Sequence, residues 1–190
     1  MIRRTFAWFA MATVLGGTAI AAETSAADPG RTGWYVGGGA TYAFEAVTGA
    51  GASASVGDSP GFTVLGGYRL HRNVAAELDV DYLNDFGVDV AGREAAHLTA
   101  VATTLNGKGY LATGRVQPYG VVGVGGLYGV AWDLFRTADA AGFLARFGGG
   151  MDLYATDHVV LNAEASYDLP TGDLAALRFV PVTVGAQYRF

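Results

Sequence analysis

The sequence contains no cysteine and few charged residues, which make up 15% of its 190 residues. Without cysteine the chain has neither disulfide bonds nor a cysteine-ligated metal. Hydrophobic residues nevertheless reach 51%, and no uncharged apolar helix of spanning length follows the N-terminal segment. The longest uncharged run after that segment, Val116 to Trp132, holds five glycines and Pro118, which oppose a helix. An apolar chain of this kind is more typical of a β-rich membrane protein than of a helical one.

Basic residues are also scarce, because 12 Lys and Arg stand against 17 Asp and Glu. The formal net charge of −5 disfavours nucleic acid as a partner, since nucleic-acid binding needs a clustered positive surface.

The N-terminus has the three-part layout of a secretory signal peptide. Arg3 and Arg4 precede an apolar stretch from Phe6 to Ile20, which ends in the small-residue pattern Ala19-Ile20-Ala21. A transmembrane anchor is the alternative, but the apolar stretch is short for a bilayer span. We therefore expect a signal peptide over residues 1–21, a flexible leader over 22–32, and one β-barrel domain over 33–190.

The remaining chain alternates between apolar and polar residues with a period of two, which is typical of β-strands. The clearest example is the third segment, where Val74, Leu78 and Val80 interleave with Glu77 and Asp79. Eight such segments can be counted. Short turns alternate with four longer stretches that predict external loops, namely Glu45 to Pro60, Asn84 to Glu94, Asp133 to Ala141 and Leu169 to Ala176. This alternation predicts an all-β fold, an eight-stranded antiparallel up-and-down transmembrane β-barrel.

Ionisable residues occupy one face of most predicted strands, and the opposite face is almost wholly apolar. In a membrane barrel the apolar face contacts lipid and the polar face lines the lumen. An eight-stranded lumen is wide enough only for side chains, so the polar residues are expected to pair as a plug, although a small pore is the alternative. The predicted lumen network consists of Arg69, Glu77, Asp79, Asp81, Lys108, Arg146, Asp152, Glu164 and Arg189.

Aromatic residues cluster near the ends of the apolar faces, as in the interfacial girdles of membrane barrels. The predicted girdle residues are Trp34, Tyr42, Phe44, Tyr68, Tyr82, Tyr119, Trp132, Phe143, Tyr167 and Tyr188. In the fifth strand, the apolar face is predicted to run through Tyr119, Val121 and Leu127.

The segments WYVGGGATY, PYGVVGVGGLYG, RFGGGMDLYATDHVVLNAEASYDL and VTVGAQYRF together resemble the small outer-membrane β-barrel proteins of the OmpA-transmembrane and opacity-protein type. The resemblance runs from Gly33 to Phe190. It implies a bacterial outer-membrane location, contact with outer-membrane lipid and lipopolysaccharide, and recognition of Tyr188 and Phe190 by the barrel-assembly machinery. We expect no periplasmic domain after the barrel, so the resemblance does not imply peptidoglycan binding.

An enzymatic site is the weaker hypothesis. Glu77, Asp79 and Asp81 at alternate positions are better explained as lumen lining than as a catalytic or metal site. Some small barrels modify lipid A, and His97 with Asp85 or Glu94 is the candidate set for such chemistry. His71 and His158 fall in predicted turns. We therefore expect a protein without catalytic residues, cofactor or metal, serving envelope integrity, adhesion or surface exposure. The alternatives are a lipid A-modifying enzyme and a small diffusion pore.

Overall fold

The computed structural model describes residues 28–45, 54–56, 59–90, 93–133, 136–175 and 178–190. Within these ranges the side chains of 45, 54–56, 85–90, 93–98, 131–133, 136–139 and 173 are excepted. The strands are β1 (Gly33–Glu45), β2 (Ala54–Val56), β3 (Ser59–His71), β4 (Val74–Val90), β5 (Arg93–Tyr110), β6 (Val116–Asp133), β7 (Arg136–Tyr154), β8 (Val159–Pro170) and β9 (Phe179–Arg189), with one 3₁₀ turn at Gly172–Leu174.

Eight of these strands close into a barrel in which every described pairing is antiparallel. β1 pairs with β3 on one side and with β9 on the other, so that Val36 lies opposite both Gly66 and Tyr188. The remaining strands pair in chain order, and β4 pairs with β5 to complete the ring. β2 is a short addition that pairs with the far end of β4. The predicted eight-stranded antiparallel barrel is thus confirmed.

The burial of side chains is the inverse of that in a soluble barrel. Arg69 is 0% exposed, whereas Phe143 is 82% and Val124 is 67% exposed. Along β3, β4 and β7 the described charged side chains face inward and most large apolar side chains face outward, with Leu65, Leu83 and Leu144 as inward exceptions. An outward apolar band with an inward polar surface is the arrangement of a membrane barrel. No helix in the described part of the chain has the length and apolar character of a membrane span.

The predicted external loops are shorter in the structure than in the sequence interpretation. β4 continues to Val90 and β5 begins at Arg93, so most of the predicted loop Asn84 to Glu94 is strand. Likewise β7 begins at Arg136, inside the predicted loop Asp133 to Ala141. The predicted loop Glu45 to Pro60 contains β2, and the loop Leu169 to Ala176 contains the 3₁₀ turn. The loop predictions treat runs of polar residues as the ends of strands. Strands that pair in a hairpin outside the membrane can also contain polar residues, so these strands continue further than predicted.

The predicted outward face of the fifth strand, which is β6 in the structure, is wrong. Tyr119, Val121 and Leu127 are buried inside the barrel, whereas Val122 and Val124 are exposed on its outer surface. Apart from Gln117, which is buried on the same face as Tyr119, the described side chains of β6 are apolar or small on both faces, so polarity gave little signal for the orientation of the strand. Tyr119 is therefore a lumen residue and does not belong to the aromatic girdle.

The two ends of the barrel differ. At one end lie the tight turns 72–73, 111–115 and 155–158, together with the start of β1 and the end of β9. At the other end the β4–β5 and β6–β7 hairpins extend past their neighbours. β3–β4 pairing ends at Gly61 and Leu83, whereas β4–β5 pairing continues to Val90 and Arg93. Outer-membrane barrels place short turns on the periplasmic side and longer connections outside.

Candidate functional site

The structure places all nine residues of the predicted lumen network inside the barrel. Eight are buried, and Glu164 is partly buried. They are inward because each lies at the alternate positions opposite the lipid-facing apolar residues of its strand. They divide into three levels along the barrel axis.

The level nearest the long hairpins centres on Arg146 of β7. Its guanidinium donates to both carboxylate oxygens of Asp168, from Nε at 2.9 Å and from Nη2 at 2.7 Å. Nη2 also contacts Asp81 Oδ2 at 2.6 Å, and Nη1 contacts Asp79 Oδ2 at 3.4 Å. Thr63 Oγ1 donates to the other Asp81 oxygen at 2.5 Å. Arg146 of β7 thus binds carboxylates of β8 and of β4, and its contacts with β4 cross the lumen.

The middle level centres on Lys108 of β5. Its Nζ lies 2.6 Å from Glu77 Oε1 and 3.3 Å from Glu164 Oε2. Tyr119 donates from its hydroxyl to Glu164 Oε2 at 2.8 Å, and its ring centroid lies 4.6 Å from the ammonium. The Lys108 charge is therefore held by two carboxylates and one aromatic face.

The level nearest the tight turns contains two arginines and several tyrosines. The Arg69 guanidinium lies 3.4 Å from the Tyr110 ring centroid, and the Tyr110 hydroxyl donates to Asp152 Oδ2 at 3.1 Å. Arg69 Nε also donates to the carbonyl of His71 at 3.2 Å. Arg189 donates to the Tyr154 hydroxyl. These contacts fill this end of the lumen with planar groups.

The segment before β1 lies across this end. Arg31 Nη2 is 3.1 Å from both the Asp157 carbonyl oxygen and His158 Nδ1, in the β7–β8 turn. Arg189 Nη2 donates to the Arg31 carbonyl at 2.7 Å. Gly30 is buried against Arg72 of the β3–β4 turn. Residues 28–32, the described part of the predicted leader, thus contact the turns that surround the mouth.

The opposite end of the lumen is closed by an apolar cap, which the sequence did not predict. Leu174 of the 3₁₀ turn reaches into the barrel and packs in a buried cluster that has no charged member. The other members of this cap are Ala43, Leu83, Ala100, Ala102, Leu127, Leu144 and Phe179. The lumen is therefore sealed by hydrophobic side chains at its outer end and by ion pairs below them.

Sequence reasoning also missed several polar lumen residues. Asp168 lies just past the predicted seventh strand, which ends at Tyr167. In the structure it continues the inward series of Asn162, Glu164 and Ser166. Tyr35 and Tyr110 were missed because a tyrosine is compatible with either face of a membrane strand. Extending the period-two register to the observed end of β8 would have found Asp168.

A small cavity of about 10 Å³ lies between the Arg146 and Lys108 levels, and it has room for about one water-sized occupant. Its wall comes from β3, β4, β7, β8 and β9 and includes Glu77, Asp79, Arg146 and Asn162. A continuous aqueous path would need a far wider lumen.

The residues weighed for catalysis are not brought together by the described part of the structure. Glu77 is bound to Lys108, whereas Asp79 and Asp81 contact Arg146, so these carboxylates are engaged as lumen lining. His71 and His158 are exposed at the tight-turn end. The side chains of Asp85, Glu94 and His97 lie outside the described residues. No three His, Cys, Asp or Glu side chains among those described form a group suited to a metal ion.

Known structures share this fold. Neisserial surface protein A (NspA) superposes with a TM-score of 0.64 at 16% identity, covering 83% of this chain and 97% of that protein. OprG from Pseudomonas aeruginosa gives 0.61 at 16%, with coverages of 86% and 99%. Ail, the attachment invasion locus protein of Yersinia pestis, gives 0.55 at 15%, with coverages of 84% and 97%. No curated protein sequence matches the chain.

The family model that describes the outer membrane protein β-barrel domain matches residues 10–190, nearly the whole chain. Its span includes every strand of the closed barrel. The inverted burial, the antiparallel closure and this match agree, and the chain belongs to the outer membrane β-barrel protein family of the bacterial outer membrane.

Proposed function

We propose that this protein is a non-conducting, non-enzymatic outer-membrane barrel that anchors two projecting β-hairpins at the cell surface. The observation that carries the proposal is the filled lumen. Ion pairs fill its middle, arginine and tyrosine side chains fill the level nearest the tight turns, and an apolar cap closes the other end. Residues 28–32 contact the tight turns. Because the described part of the lumen is filled, we infer that the protein acts through its outer surfaces.

The projecting hairpins support a role at the surface. β6–β7 pairing continues to Asp133 and Arg136, while β7–β8 pairing ends at Leu144 and Pro170. The β4–β5 hairpin rises in the same way beside it. Such paired strands hold their tips away from the lipid surface, where they can contact other cells or molecules. Adhesion, surface exposure to a host and envelope integrity are the roles we propose for them. Ail, the attachment invasion locus protein of Yersinia pestis, has the same fold.

Contacts during assembly are part of the same proposal. Tyr188 and Phe190 are exposed on the outer face, with ring centroids 5.3 Å apart. We propose that this aromatic pair is recognised by the barrel-assembly machinery, and that the mature barrel contacts outer-membrane lipid and lipopolysaccharide.

The purified barrel should give no stable conductance steps in planar bilayers, because buried ion pairs and an apolar cap fill the described part of its lumen. A double variant that removes the cap, Leu127→Ala with Leu144→Ala, tests the lower levels on their own. It should also stay silent because the Arg146 and Lys108 levels remain. Regular channel openings from the unmodified protein would contradict the proposal and favour the pore alternative.

Surface display has its own test. An epitope tag inserted between Val90 and Arg93 should be labelled by antibody on intact cells, and a tag in the β5–β6 turn near Gly114 should be labelled only after the outer membrane is permeabilised. The outer-membrane fraction should also show a gel mobility that changes on boiling. Labelling in the reverse pattern would overturn the orientation.

We also propose that export removes residues 1–21. The chain isolated from the outer-membrane fraction should begin at Ala22, as mass spectrometry of the intact protein would show. Ala21→Arg should block processing because the cleavage site requires small residues. An outer-membrane form that retains Arg3 and Arg4 would show that the N-terminal segment is kept.

A further inference from the structure

We propose that the cavity between the Arg146 and Lys108 levels is a binding site for a single alkali-metal cation. The first reason is charge. Lys108 and Arg146 are the two cations of these levels, and together they contact five carboxylates. These are Glu77, Asp79, Asp81, Glu164 and Asp168. Buried carboxylates without a compensating charge are costly, so the cluster favours an added cation.

The second reason is the set of unsatisfied atoms at the cavity wall. Asp79 Oδ1, Glu77 Oε2 and Asn162 Oδ1 are buried and have no hydrogen-bond partner among the described residues. The Asn162 side chain is a separate observation from the carboxylates, because it is a neutral amide, is 4% exposed and lies on β8, whereas Glu77 and Asp79 lie on β4. All three atoms are acceptors. Oxygen atoms of carboxylates and amides are ligands for hard cations.

The size of the cavity and the number of unsatisfied oxygen atoms around it limit what can bind there. The cavity volume of about 10 Å³ admits one body of the size of a water molecule. A water molecule has only two hydrogens to donate and brings no charge, so it leaves one of the three acceptors and the excess negative charge unsatisfied. The described residues hold no group of three His, Cys, Asp or Glu that suits a metal ion, and the three unsatisfied atoms at this cavity come from two carboxylates and one neutral amide. This low ligand charge favours a monovalent ion over a divalent one. A monovalent ion held by two carboxylates and an amide oxygen meets these conditions.

The test is the urea unfolding of the purified barrel in zwitterionic detergent, at one pH and one ionic strength, in sodium, potassium or choline chloride. Choline is too large for the cavity but screens surface charges equally, so it controls for screening. An alkali chloride should raise the unfolding midpoint in a saturable way. At a cation concentration ten times the dissociation constant, the folded-to-unfolded ratio should rise about tenfold over choline.

Asp79→Asn is the informative variant. An asparagine keeps an acceptor for Asn106, which donates to Asp79 Oδ2 at 2.9 Å, and can direct its own amide donor into the cavity in place of the ion. We expect this variant to lose the alkali-cation response while remaining at least as stable as the unmodified protein in choline chloride. Asp157→Asn, an exposed carboxylate in the β7–β8 turn, is the matched control and should keep the response.

Two further measurements test the cation site without relying on Asp79→Asn. Asn162→Ala removes one ligand without changing the charge and should weaken the response even if Asp79→Asn does not fold. Crystals grown in rubidium chloride should show anomalous density in the cavity. Equal midpoints in all three salts would overturn the proposal, and infrared absorption of a protonated carboxyl at neutral pH would then identify a proton as the compensating charge.

Discussion

Replacing Arg146 by methionine is expected to lower the free energy of unfolding by about 3–5 kcal/mol, because it removes one partner of a buried ionic network. The guanidinium is 4% exposed and contacts Asp79, Asp81 and Asp168. Methionine fills most of the same volume but leaves three carboxylates without their cation. Urea titration of the barrel in lipid vesicles, followed by tryptophan fluorescence and by gel mobility without boiling, measures the loss.

Two comparisons separate the lost charge pairing from a general packing defect. Arg115→Met changes an exposed arginine in the β5–β6 turn and should alter stability by less than about 0.5 kcal/mol. Adding Asp81→Asn and Asp168→Asn to Arg146→Met should recover part of the stability, since these changes remove two of the uncompensated carboxylates. If Arg146→Met unfolds at the same urea concentration as the unmodified barrel, the network does not stabilise the fold.

A charge on the lipid-facing surface is expected to be nearly as damaging. Val124 is 67% exposed and sits on β6 between Leu105 of β5 and Ala145 of β7, well inside the outward apolar band. Val124→Arg should cost about 2–4 kcal/mol in a bilayer, which is the range for arginine near the midplane of a membrane barrel. The same vesicle unfolding assay measures this change.

The matched control is Leu111→Arg. Leu111 is more exposed than Val124, at 82%, but it lies just past the end of β5 in a tight turn. An arginine near the interface costs only about 0–1 kcal/mol, so the two variants should differ although both replace an exposed aliphatic residue. Equal, small effects would mean that the apolar surface does not face hydrocarbon.

Most strands were predictable because their two faces differ in chemistry. In β4 the series Glu77, Asp79 and Asp81 alternates with Leu78 and Val80, and only one register puts the charges together. In β6 the two faces are mostly Val, Leu, Tyr and Gly, and among the described side chains only the buried Gln117 indicates which face lines the lumen. The register of β6 is set instead by pairing with β5 and β7, which leaves Tyr119 beside Lys108.

The candidate site was predictable as a set of residues but not as an arrangement. The inward position of Arg146 follows from the alternation in β7, whereas its choice of Asp168, Asp81 and Asp79 depends on which strands face each other across the lumen. The apolar cap was beyond sequence reasoning for the same reason. Leu174 follows β8 in a short polar stretch, and only the closed ring brings it over Leu83 and Leu127.

A period of two with one apolar face and one charged face predicts a membrane barrel, because strands of this kind are stable in lipid only as a closed sheet with its polar side inward. The tertiary structure alone decided how the lumen is filled. Closure of the ring places residues from opposite strands within bonding distance. Their separation along the chain does not predict which of them will be in contact. It therefore decided that two cations serve five carboxylates, and that hydrophobic side chains seal the outer end.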